Sequence, residues 1–178
     1  DPKLVELGVI PSLDVAKSEY CNYIRNGLMV QLTRVKLGNN LEESHMRNRQ
    51  LIASWVYEKG KETNVIERVN REGKTYFTIR DYEALRMLFG RLLAEVQRVK
   101  SEGDFEGARN LIENYGVRID PVLHQEVLER YQKLNVAPYA GFVNPEYLLI
   151  EKEGVVVDVK IEYPTDFLAQ MLEYGGNR

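Results

Sequence analysis

One cysteine, two histidines, one tryptophan and six prolines among 178 residues exclude several common chemistries at once. Cys21 has no second thiol to pair with, so an internal disulfide is impossible, and it cannot be half of a Cys-rich zinc site. A reducing, cytoplasmic setting is the expectation. His45 and His124 lie far apart in the chain, which argues against a self-contained histidine metal site. No apolar run approaches the ~20 residues that span a bilayer, and no signal-peptide pattern stands at the start, so no membrane partner is expected. Nor is there an excess of positive charge. Lys and Arg number 24 against 27 Asp and Glu, a formal net charge of -3, which argues against a nucleic-acid partner. A Gly-rich phosphate loop, H-E-x-x-H, G-x-S-x-G and C-x-x-C are all missing.

What is present is an ordinary globular composition. With 44% hydrophobic and 29% charged residues, disorder is excluded. The chain begins Asp1-Pro2-Lys3-Leu4 without a methionine, in what reads as a helix start, and is expected to be a piece of a longer protein.

Local patterns predict an α+β fold, mainly α: a helical body of about six helices with two β-hairpins, the second in a C-terminal tail. Gly8 closes a first short helix. Apolar and aromatic side chains from Leu13 to Val35 keep a helical spacing, which predicts one buried helix over 13–37. A second helix is expected over 41–59, ending at Gly60. Strands at 65–69 and 74–79 flank a four-residue loop, Asn70 to Gly73. Asp81 caps an amphipathic helix, Glu102-Gly103-Asp104 turns it into another over 105–115, and Asp120-Pro121 starts a third over 122–132. After Leu134 an extended connector carrying Pro138, Gly141 and Pro145 leads to a second hairpin around Glu153-Gly154. There Val155, Val157, Val159 and Ile161 alternate with charged residues, the pattern of a strand with one buried face. Pro164-Thr165-Asp166 starts a last short helix.

Most ionisable residues read as solvated surface. Glu42-Glu43 and Glu151-Glu153 are of this kind, as are Arg86, Arg91, Arg98 and Lys100. Cys21 is expected to be a small core filler and His124 a packed or surface-bound side chain. Lys133 ends a helix, where a cation complements the dipole. The exception is Ser44 to Gln50. Placed at 100° per residue, His45 and Asn48 fall within the stripe defined by Leu41, Ile52, Trp55 and Val56, with Arg49 at its edge. Buried polar groups need partners, so a polar cavity or cleft is expected there. Two readings stay open: a hydrogen-bonded structural cluster, or a functional site.

Four segments carry a resemblance to a known family. They are Asn22-Tyr23-Ile24-Arg25-Asn26-Gly27-Leu28, His45-Met46-Arg47-Asn48-Arg49, the run from Leu93 to Asp104, and Lys133-Leu134-Asn135-Val136-Ala137-Pro138. In that order the chain resembles the carboxy-terminal quarter of dipeptidyl peptidase III, and is most similar to bacterial, Bacteroides-like members. The resemblance implies a two-lobed zinc exopeptidase that releases dipeptides from the amino terminus of oligopeptides. It places the zinc motifs H-E-x-x-G-H and E-E-x-x-A-D upstream, so zinc is expected in the full-length parent and none in this chain. It implies that His45 is the catalytic hydrogen-bond donor to the oxyanion of the tetrahedral intermediate. Arg49 would line the same cleft, and Lys133 would contact the carboxyl side of the substrate. Animal members have an arginine before that lysine, where this chain has Gln132.

The resemblance also implies that residues 1–132 belong to the helical zinc lobe and 133–178 return to the other lobe. The partners would then be an oligopeptide substrate and the rest of the same polypeptide. Exposed apolar strand surface would promote self-association. The alternative, from a different class, is a non-catalytic helical interaction domain of a multidomain protein.

Overall fold

The computed structural model describes residues 2–135 and 143–176. The fold is α+β and mainly α. Among the described residues it has seven α-helices and two two-stranded antiparallel hairpins. The chain divides into two compact units, Asp1–Val136 and Ala137–Arg178. The expected boundary stood at 132/133. Most of the predicted connector, with Pro138 and Gly141, lies outside the described residues.

In the first unit, α1 (Pro2–Glu6) ends before Gly8, whose φ of +70° suits glycine alone. Helix α2 (Leu13–Leu28) is capped by the Ser12 hydroxyl, which accepts from the Val15 N–H at 3.3 Å. It stops well short of the predicted residue 37. Met29 leaves helical geometry at φ -134°, and a 3-10 turn follows over Val30–Arg34. Two side chains account for the break. The Gln31 amide donates to the Gly27 carbonyl at 2.8 Å, taking the acceptor that the Gln31 backbone N–H would use in a continuing helix. His124 Nε2 lies 3.1 Å from the Leu32 carbonyl and 3.0 Å from that of Val35, satisfying the turn from outside. Periodicity registered the apolar spacing but not these competing partners.

Helix α3 (Ser44–Lys59) starts later than residue 41, because the Glu43 carboxylate accepts from the N–H groups of both His45 and Met46 at 2.9 Å. Leu41 is fully buried but lies before the helix, with its N–H on the Val117 carbonyl. Strands β1 (Ile66–Arg71) and β2 (Lys74–Ile79) pair through Arg71 and Lys74. The connection is therefore a two-residue turn of Glu72 and Gly73, both at positive φ, and not the predicted four-residue loop. Helix α4 (Tyr82–Glu102) runs from its Asp81 cap to Gly103 at φ +66°. Asp104 caps α5 (Phe105–Leu111), which passes into a single π-helical turn over Ile112–Val117. Asp120 caps α6 (Pro121–Leu134).

These elements close on one main core of Ile24, Leu28, Ala53, Val56, Leu85 and Leu92 with their neighbours, and burial of each Val, Leu or Ile contributes roughly 1.5–3 kcal/mol. Gly27 lets α2 and α3 touch: a Cβ there would meet Ala53 Cβ at 2.5 Å and the Arg49 carbonyl oxygen at 2.7 Å. A smaller cluster of Leu32, Leu123 and Val127 joins α6 to the 3-10 turn. Helix α6 also covers the first hairpin. Glu126 accepts the Thr75 N–H at 2.7 Å, and Arg130 donates to the Thr75 carbonyl at 2.8 Å. Both backbone groups of that β2 residue are thus satisfied by α6 side chains.

The second unit holds β3 (Glu146–Lys152), β4 (Val155–Glu162) and α7 (Phe167–Gly176). The hairpin forms as predicted around Glu153 and Gly154, with an irregularity at Ile150/Glu151. Its predicted buried face is not observed. Tyr147 and Leu149 stand opposite Ile161 and Val159, and all four are exposed. Among the described residues neither face of the two strands is buried, so alternation produces an apolar side without a core. Helix α7 contributes buried Gln170, which exchanges hydrogen bonds with the Asn144 backbone at 2.8 and 3.0 Å.

Candidate functional site

The first two turns of α3 carry His45, Asn48 and Arg49, and all three are exposed. This corrects the expectation of an inward polar face. The angular placement is sound, since His45 and Arg49 lie along the same side as Val56. Height along the axis decides the outcome. Helix α2 crosses α3 where Gly27 meets Arg49 and Ala53. Nearer the start, the neighbours stand on another side: Gly116 packs on the backbone of Arg47, whose Nε donates to the Leu41 carbonyl at 2.7 Å. The buried positions of α3 are Gln50, Ala53, Trp55 and Val56. Leu41 belongs to the preceding loop, so it does not define a helix stripe.

His45 and Arg49 are one turn apart, a spacing that puts their Cβ atoms about 5–6 Å from each other. Among the described residues neither side chain makes a hydrogen bond or an ion pair within the chain, so both present free donors to solvent. The Arg49 cation acts on Tyr23, whose phenol is pushed up by burial and pulled back by that guanidinium. Tyr23 itself packs edge-on against Phe89, with ring centroids 6.2 Å apart. Beneath the His45 cap, the Glu43 carboxylate is held below its usual range by the N–H of His45, with further help from Met46. Glu43 is thus a helix cap, which the reading of Glu42-Glu43 as solvated charge missed. The signal was available as an acid just before an amphipathic segment.

Asn48 faces a groove of about 390 Å³ between α3, α4 and α5, lined by Leu51, Ile52, Leu92, Val96 and Leu111. Its polar amide stands at the edge of an otherwise apolar surface. Lys133 is elsewhere. It occupies the last turn of α6 beside Glu72, Lys74 and Glu129, and among the described residues it shares no hydrogen bond or ion pair with His45 or Arg49. The structure therefore brings His45 and Arg49 together and leaves Lys133 on a different surface.

The remaining sequence candidates resolve clearly. His124 is packed, with 1% of its surface exposed, and two carbonyls around Nε2 require the proton on that nitrogen. Cys21 is exposed and is not a core filler. Helix α2 turns it outward, with Sγ 3.1 Å from the Tyr82 hydroxyl. That contact, with burial, pushes the Tyr82 phenol up to about 12. Arg98 forms a surface network with Glu95, Glu102 and Asp104 at 2.7–2.9 Å, which fixes the turn from α4 into α5.

No three His, Cys, Asp or Glu side chains gather into a metal-ligand set among the described residues. Comparison with known proteins adds no assignment: neither a family model nor a curated protein sequence matches the chain.

Proposed function

We propose that this chain is the carboxy-terminal part of a zinc-dependent dipeptidyl peptidase III, a hydrolase that removes dipeptides from the amino terminus of oligopeptides. The observation that carries the reading is the ordered series of four family-like segments, from Asn22-Tyr23-Ile24-Arg25 to Lys133-Leu134-Asn135. The geometry supports it in one respect. His45 and Arg49 stand one turn apart on an exposed helix end, with donors not used by the chain itself. In the proposed role His45 donates a hydrogen bond to the oxygen that becomes negative when the peptide carbonyl is attacked. Arg49 orients substrate or a neighbouring carboxylate. Neither H-E-x-x-G-H nor E-E-x-x-A-D occurs in this chain, and the resemblance places both upstream, so no step here runs through the metal.

The alternative is a non-catalytic helical interaction domain. It draws on the exposed apolar side chains Leu93, Val96 and Ile112 around the α3–α4–α5 groove. Two measurements separate the readings. The parent gene should encode E-E-x-x-A-D and H-E-x-x-G-H upstream of Asp1, and their absence favours the interaction domain. In the full-length parent, His45→Ala should lower kcat by about 10²-fold or more at unchanged zinc content, the scale of one lost oxyanion donor. Equal turnover of the two proteins removes His45 from the chemistry.

A further inference from the structure

A hollow of about 390 Å³ lies between α2, the β1–β2 hairpin and α6, away from the His45 end of α3. Its volume is at the small end of the ~300–1,000 Å³ typical of ligand pockets. The wall is apolar: Ile24, Phe77, Ile79, Val127 and Tyr131 line it, with Ile24 and Val127 fully within the core. Two polar side chains of α2, Cys21 and Arg25, stand at its edge one helical turn apart.

Their states differ from that of the other cation in the wall. Arg130 is paired within the chain, its Nη1 donating to the Thr75 carbonyl at 2.8 Å and to Glu126 at 3.2 Å, with its guanidinium 5.0 Å from the Tyr76 ring centroid. Arg25 makes no side-chain hydrogen bond and no ion pair among the described residues. Among the described residues no carboxylate lines the hollow. A planar fork of donors therefore overlooks a largely apolar cavity whose described lining holds no carboxylate to pair with it, an arrangement complementary to a carboxylate on a short apolar body.

We propose that this hollow binds a small carboxylic acid, its apolar body against Phe77, Ile79 and Val127 and its carboxylate on Arg25. The site is independent of the peptidase reading, because it uses none of His45, Arg49 or Lys133. Helix α2 supplies both the recognition group and a reporter, since Cys21 is the single cysteine and its exposed thiol shares the edge of the cavity.

The test uses the whole 178-residue chain, octanoate as the probe and the rate of Cys21 alkylation by a maleimide as the readout. Octanoate should slow alkylation in a saturable way, while acetate, which has the head group without the body, should not. Arg25→Gln, a change at an exposed position, should raise the octanoate concentration for half-protection about ten-fold or more, the effect of losing a charge-assisted hydrogen bond. Alkylation of the ligand-free variant should proceed at the wild-type rate, which shows that its helix is intact. The proposal is overturned by any of three results: no saturable protection in the wild type, equal protection in Arg25→Gln, or acetate as effective as octanoate.

Discussion

Asp120 divides its two oxygens between neighbours that are far apart in sequence. Oδ1 accepts from the Val122 and Leu123 N–H groups at 3.0 and 3.2 Å, and Oδ2 accepts from Arg68 of β1 at 2.9 Å. One carboxylate thus starts α6 and ties it to the first hairpin. Glu126, nearly two turns further along, accepts the Thr75 N–H of β2. Burial opposes ionisation of both groups. For Asp120 the hydrogen bonds from Arg68 and the helix start outweigh it, and for Glu126 those from Thr75 and Arg130 do, so both carboxyls titrate below their usual values. The sign follows from linkage. Because the folded pKa values are depressed, their stabilisation is complete above the unfolded values of about 4 and is lost as pH falls through the lower folded values. Urea midpoints should therefore be flat from pH 8 to 5 and decline below about pH 4. Asp120→Ala should cost about 1 kcal/mol at neutral pH through the lost helix cap, and its decline in acid should be shallower than that of the wild type. A midpoint unchanged by the substitution at pH 7 would show that α6 does not depend on this cap.

At the scale of elements, the contact of α2 with α3 depends on one residue that has no side chain. Any Cβ at Gly27 would lie inside contact distance of Ala53 and the Arg49 carbonyl. Gly27→Ala should therefore destabilise by about 1–3 kcal/mol, in spite of alanine's better helix propensity, read as a lower urea midpoint. A raised midpoint would mean that the helices separate at little cost. The sequence carried the beginnings of elements far better than such contacts. Ser12, Asp81, Asp104 and Asp120 each announce a helix by a local hydrogen bond, and Gly103 announces an end by its positive φ. These signals are local, so a pattern of neighbours reveals them. The break after Leu28 is only partly local, because besides Gln31 it depends on His124, which reaches the turn from α6. The exposure of His45 was hidden for the same reason: helical angle shows which way a side chain points, but not whether another element stands at that height. His45 and Arg49 were legible as one face of one helix, and the separation of Lys133 from them depends on packing that no local spacing encodes.

For the whole molecule, the distribution of burial predicts how its parts depend on one another. Both hydrophobic clusters, from Ile24 to Leu92 and around Leu32, Leu123 and Val127, lie before residue 135. The lone tryptophan, Trp55, sits in the larger one and reports directly on it. The second unit is built differently. Its hairpin shows Tyr147, Leu149, Val159 and Ile161 to solvent, each strand pairs only with the other among the described residues, and Gln170 is the buried residue of α7. Two-stranded sheets with an apolar face and open edges are marginal alone and tend to pair with other chains. A chain ending at Asn135 should consequently keep the Trp55 fluorescence transition of the full chain, with an unfolding free energy changed by no more than about 0.5 kcal/mol, the scale of changes far from a core. The same truncation should lower self-association, seen by sedimentation as a smaller rise of mean mass with concentration. If the truncated chain loses its cooperative transition, the first unit draws stability from residues beyond 135. If the full chain stays monomeric at high concentration, the apolar hairpin face does not drive association.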